Sequence, residues 1–239
     1  MLQRIAFCII IFALLVSSVM VIAQEDHTAT GTRPESERES PVALDPSAGD
    51  EIGLIYQAFL SPQQEGGEEE DTPRFVPDVF RSTAPSVTRE ERPGRGHGVI
   101  EFTSDFSRAY VYLAIENVDV ESIAMLHIHC GRPGQLGPIL IDFAQIGDIQ
   151  AFLADGVMNV EVTNADIEAV VNDGDGLIGA FTAGCPIVSD NPTDKVKTIA
   201  GMAYIAREGD LYFNLHTDGQ MYFGDIRGQV VPLDDDEVG

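Results

Sequence analysis

The stretch MLHIHCGRPGQLGPILIDF, Met125–Phe143, decides how the chain is read. Two apolar runs flank a connection rich in glycine and proline, the pattern of two strands joined by a loop. Successive side chains of a strand point to opposite faces. His127 and His129 therefore share a face with Ile123 and Met125, while Ala124, Leu126, Ile128 and Cys130 take the other. Both faces are apolar, and a polar ring atom shielded from water without a partner costs roughly 2–7 kcal/mol. Something must satisfy two imidazoles lying side by side.

Working outward, strands are expected at GLIYQAFLS (53–61), HGVIEFT (97–103) and RAYVYLAIENV (108–118). Others follow at ESIAMLHIHC, GPILIDF and GVMNVEV, then at GLIGAFTAG, KTIAGMAYIARE, DLYFNLHTDG and YFGDIRGQVVPL. Gly, Asp and Asn turns separate them. One short helix is expected through Asp166–Val171, capped by Thr163 or Asn164, with acidic residues in its first turn as the helix dipole prefers. Some eight strands with one short helix predict an all-β fold, an antiparallel, Greek-key-like sandwich or barrel. The charged loop between the first and second strands, Gln64–Gly96, is long enough to read as a surface excursion.

The ends have their own character. Residues 1–23 carry one early arginine, an apolar run and a small-residue end at Ala23, as a cleavable secretory signal peptide does; an uncleaved anchor is the alternative, because the apolar stretch nearly reaches spanning length. Residues 24–50 are charged, proline-bearing and poor in apolar residues, so they read as a disordered acidic leader. Residues 51–233 hold the apolar periodicity of one domain, and 234–239 form an acidic tail. No other segment has the length and apolarity of a membrane span, so insertion is not expected once the signal is removed. A secreted protein, periplasmic or extracellular, is the expectation.

With 14 basic against 39 acidic residues, the chain has a net charge of −25. Such a surface repels nucleic acid, anionic lipid and small anions. Beyond the signal only Cys130 and Cys185 remain. In an oxidising compartment they read most simply as a disulfide worth roughly 4 kcal/mol; the alternative is a thiolate metal ligand from Cys130.

A third histidine, His216, lies in LYFNLHTDG, on the strand face opposite to Leu211, Phe213 and Leu215. With His127 and His129 it would make a set of nitrogen donors suited to copper or zinc, provided the two strands converge. Met125, Met202 and Met221 are candidate thioether contacts, each with packing as its plain alternative. His97, among the glycines of GRGHGVIEF, is a candidate fourth donor or a solvated side chain. NDGDG (172–176) lacks the downstream glutamate of a calcium loop and reads as a turn.

LHIHCGRPGQLGPILIDF, the NLHT strand, the closing GDIRGQ and the opening YQAFLSPQQE together resemble the CHRD domain, a module first described in chordin. The resemblance spans about residues 54–232. The long excursion after Gln64, and DGQMYFGDIRGQ in place of a proline-glycine approach to the last strand, depart from the family pattern. The resemblance implies an architecture like that of copper/zinc superoxide dismutase, with His127, His129 and His216 as metal ligands and Arg227 as a neighbour facing an anion. Function does not follow from architecture. The reading these residues favour is an exported copper carrier, buffer or sensor, with zinc as the alternative metal. A non-catalytic extracellular interaction module with structural histidines is the second reading. A superoxide dismutase-like oxidoreductase is the third, since the negative charge opposes anion steering.

Overall fold

A computed structural model describes residues 45–174, 179, 181–187 and 194–233. The expected signal segment and acidic tail, and most of the expected leader, lie outside the described residues; within 24–50, Pro46–Asp50 forms a 3₁₀ turn capped by Asp45. The strands are β1 (Ile52–Leu60), β2 (Arg95–Thr103), β3 (Arg108–Glu116), β4 (Ile123–Cys130), β5 (Ile139–Asp142), β6 (Val157–Thr163), β7 (Leu211–Thr217), β8 (Ile226–Gln229) and β9 (Val231–Pro232). The helices are α1 (Phe143–Ile146), α2 (Ile149–Phe152), α3 (Asn164–Asp173) and α4 (Ile199–Arg207).

Two antiparallel sheets form, one in the order β6-β3-β2-β1-β9 and one in the order β5-β4-β7-β8. They make the expected all-β sandwich, without closing into a barrel. Period-two alternation builds the core. Val111, Leu113 and Ile115 of β3 and Ile100 and Phe102 of β2 are buried with Leu126, Ile128, Phe213 and Leu215 of the other sheet, each side chain contributing about 1.5–3 kcal/mol. The sheets meet closely at Gly98, where a Cβ would stand 2.8 Å from the Phe213 ring. At one end Ser61 and Arg227 exchange backbone hydrogen bonds across the two sheets.

Four readings change. KTIAGMAYIARE is not a strand but helix α4, with Ile199, Met202, Ala203 and Ala206 buried at helical spacing. The Thr198 hydroxyl caps it by accepting from Gly201 N at 3.1 Å, and the Asn164 side chain accepts from Ile199 N at 2.8 Å. YFGDIRGQVVPL splits into β8 and β9, which belong to different sheets because the chain crosses the sandwich at Val230. Of GLIGAFTAG, Gly179, Phe181 and Thr182 are helical, Ala183 makes a bridge to Ile139 and Gly184 N donates to Ile139 O at 2.7 Å; residues 176–178 and 180 lie outside the described residues. Of NDGDG, read as a turn, Asn172 and Asp173 instead end α3 and Gly174 is its C-cap, while residues 175 and 176 lie outside the described residues.

The expected helix forms as α3, where the Asp166 carboxylate accepts from Thr163 N at 2.7 Å and from its hydroxyl at 2.8 Å. Helices α1, α2 and α4 are additional to it. No helix among the described residues is long and apolar enough to cross a membrane. Cys130 and Cys185 form a disulfide across 55 residues, which fits an oxidising compartment and answers the thiolate alternative for Cys130.

The long excursion after β1 is tied down against the turn between β7 and β8. Gln220 donates to Val87 O at 2.7 Å, Arg92 Nη1 donates to Gly224 O and Asp225 O at 2.9 Å, and the backbone N–H groups of Thr83 and Ala84 donate to Asp218 O. It thereby becomes a wall over the outer face of the four-stranded sheet, where β4 and β7 are the two central strands.

Candidate metal centre

On that outer face β4 presents Met125, His127 and His129, and β7 presents Tyr212, Asn214 and His216. The antiparallel register pairs Met125 with His216, His127 with Asn214 and His129 with Tyr212. His216 is thus one pleat along from His127. Ring centroids are 5.2 Å apart for His127 and His129, 5.4 Å for His127 and His216, and 6.3 Å for His129 and His216. One ring nitrogen from each of the three lies within 4.8 Å of the others. All three rings are buried, at 4 %, 8 % and 4 % exposure.

Hydrogen bonds orient the rings. Gly137 O lies 2.9 Å from His129 Nδ1, and Met221 O lies 2.9 Å from His216 Nδ1. A carbonyl only accepts, so each Nδ1 carries the proton and each Nε2 keeps a lone pair. His127 is turned the other way, with Nε2 3.6 Å from Asp142 Oδ1. The remaining atoms, His127 Nδ1, His129 Nε2 and His216 Nε2, are buried without a hydrogen-bond partner among the described residues.

Burial sets their protonation. Desolvation, then the neighbouring His129 and His216, hold His127 well below the usual imidazole range. Desolvation with the charge of His216 brings His129 down to about 3, against an opposing hydrogen bond to Gly137. Desolvation lowers His216 to about 4, with the Met221 bond opposing. Near neutral pH three uncharged rings therefore meet in one region, with lone pairs on His129 Nε2 and His216 Nε2. Such a donor set suits a transition-metal ion, and the hydrogen bonds to the far nitrogens are those that orient metal-binding histidines.

Several residues that hold these rings were not read from the sequence. Asp142 reaches His127 because β5 pairs with β4 in that register; burial raises its carboxyl, and it also caps α1 by accepting from Ala144 N. Tyr212 stacks on His129 and accepts from Gly137 N at 3.0 Å. Glu69, in the long excursion, accepts from Tyr222 N at 3.0 Å and from the Ser82 hydroxyl at 2.6 Å. It thereby fixes the turn carrying the Met221 carbonyl. Only the position of Asp142, on an apolar strand beside the His-x-His strand, offered a signal in advance.

The other sequence candidates separate. Met125 and Met221 line the same cavity as the histidines, whereas Met202 is buried in α4. His97 lies on the five-stranded sheet, exposed, stacked on Phe59 at 4.6 Å and 3.2 Å from Gln57 Oε1, apart from the three histidines. Arg227 is not among the residues that line the cavity. It is 1 % exposed, its guanidinium lies 3.4 Å from the Tyr212 ring centroid, and it donates to Gln135 O and Arg132 O, each at 2.8 Å. It braces the 131–138 connection behind Tyr212.

An all-β sandwich with a histidine-lined cavity on one sheet defines the class. Residues 77–230, more than half of the chain, match the CHRD domain, and the chain belongs to that family. Comparison with curated proteins and with solved structures returned no match.

Proposed function

We propose that this CHRD domain protein is exported and binds one transition-metal ion, copper, through His127, His129 and His216, as a carrier, buffer or sensor. The observation that carries the reading is the set of three buried ring nitrogens left without partners while the far nitrogen of each ring faces an oxygen. Histidines serving the fold alone would have both nitrogens satisfied, because an unpaired buried polar atom is costly. Copper is favoured over zinc by the thioethers of Met125 and Met221 in the same cavity, soft ligands that suit Cu(I). The disulfide and the N-terminal apolar segment support export. Anion-directed redox chemistry has less support, since Arg227 is committed to backbone carbonyls.

Elemental analysis after copper and zinc loading tests this. One tight equivalent of copper is expected, held against zinc and abolished in His127→Ala. Absence of stoichiometric metal in a folded protein removes the reading.

A further inference from the structure

Three nitrogen ligands account for the floor of the site but not for the space above it. The cavity over the histidines has a volume of about 420 Å³, within the roughly 300–1,000 Å³ of small-molecule sites and far above the ~30 Å³ that one water takes in the liquid. Its walls are aromatic and aliphatic: Phe80, Leu136, Ile139, Phe181 and Tyr222. Phe181 is 60 % exposed and Leu136 39 %, so the apolar lining extends to solvent.

The polar groups lining this space are few. Beyond the imidazoles they are the Asp142 carboxylate, the Thr182, Tyr212 and Tyr222 hydroxyls and Asn214, whose amide nitrogen is spent on Phe223 O at 2.8 Å and whose Oδ1 packs against Gly224. Arg227 lies behind Tyr212 with its donors turned to the 131–138 backbone. A net charge of −25 adds a long-range field against anions. An occupant suited to this lining is uncharged, flat and largely apolar, with one donor atom directed at the histidine floor.

We propose that the cavity binds a neutral, flat apolar molecule whose single nitrogen donor completes the coordination of the metal held by His127, His129 and His216. The coordination half of this rests on the metal reading above; the apolar half rests on the cavity itself.

The test uses the full secreted chain, copper-loaded and metal-free, with 4-phenylimidazole, imidazole and azide as probes. Binding is read from the copper visible and electron paramagnetic resonance spectra and by calorimetry. The copper form is expected to bind 4-phenylimidazole about tenfold or more tighter than imidazole, through burial of the phenyl ring, with azide weakest. Replacing the two partly exposed wall residues together, Leu136→Ala with Phe181→Ala, should bring the two imidazoles within about threefold of each other and leave copper stoichiometry unchanged. Equal binding of the two, azide as the tightest probe, or no effect of the wall variant overturns the proposal. Should the protein take up no copper, the metal reading fails on that result, and calorimetry on the metal-free protein judges the cavity. A retained preference for 4-phenylimidazole keeps the apolar site, and loss of the preference overturns it.

Discussion

The Tyr212 ring lies parallel to the His129 ring, 6° between planes and 5.0 Å between centroids, with the Arg227 guanidinium on the Tyr212 ring at 3.4 Å. The Tyr212 hydroxyl also accepts from Gly137 N, whose own carbonyl receives the His129 Nδ1 proton. One tyrosine thus sets both the plane and the tautomer of a proposed ligand. Tyr212→Leu should lower copper affinity about 10–100-fold, the usual cost of losing a group that orients a ligand. Tyr212→Phe, keeping the stack, should cost less. Competition titration against a chelator of known affinity measures both; equal affinity of Tyr212→Leu and the wild type would show the stack to be irrelevant.

Gly137 has no room for a side chain, because a Cβ there would overlap the Cys130 carbonyl. Gly137→Ala must push the connection off β4 and drag away the carbonyl on His129. A loss of about 1–3 kcal/mol in stability is expected, as for overpacking elsewhere, together with weaker copper binding. Urea unfolding with and without copper separates the two effects.

The pH dependence has a definite sign. His129 and His216 bind protons near 6.5 when unfolded but only near about 3 and about 4 in the fold, and His127 is likewise depressed. Between those limits the unfolded chain carries more protons, so metal-free stability falls as pH drops below about 6.5, by roughly 1.4 kcal/mol per pH unit for each ring. Above pH 7 this contribution is constant. Thermal melts of the metal-free protein from pH 8 to pH 4 test it. Three alanines in place of the histidines should flatten the slope, and an unchanged slope would place the titrating groups elsewhere.

The disulfide joins β4, one residue beyond His129, to the segment that supplies the Phe181 wall. Cys185→Ser should lower stability by roughly 4 kcal/mol in the chain-entropy model. It should spare the three nitrogens, which come from β4 and β7. Denaturation of the variant, with copper stoichiometry measured under native conditions, checks both.

Sequence reading reached the strand faces but not the strand neighbours. Alternation alone puts His127 and His129 together, and Leu211, Phe213 and Leu215 opposite to His216. The meeting of the three rings depends on β4 lying beside β7 in a register that no local pattern encodes. Asp142 and Tyr212 enter through the same register, and Glu69 enters because a charged loop folds onto a distant turn. Helix α4 was misread because Ile199, Ala203 and Ile205 also satisfy alternation; the helical set Ile199, Met202, Ala203 and Ala206 prevails through the Thr198 cap and burial of one face. The crossing at Val230 was hidden because Val230 opens the apolar run Val230–Leu233, which gives no sign of changing sheets.

The central claim is tested most directly by X-ray absorption at the copper edge on the protein loaded with one equivalent. Three imidazole nitrogens at about 2.0 Å are expected, falling to two in His216→Ala. A spectrum dominated by oxygen scatterers, or one unchanged by removing His216, would contradict it.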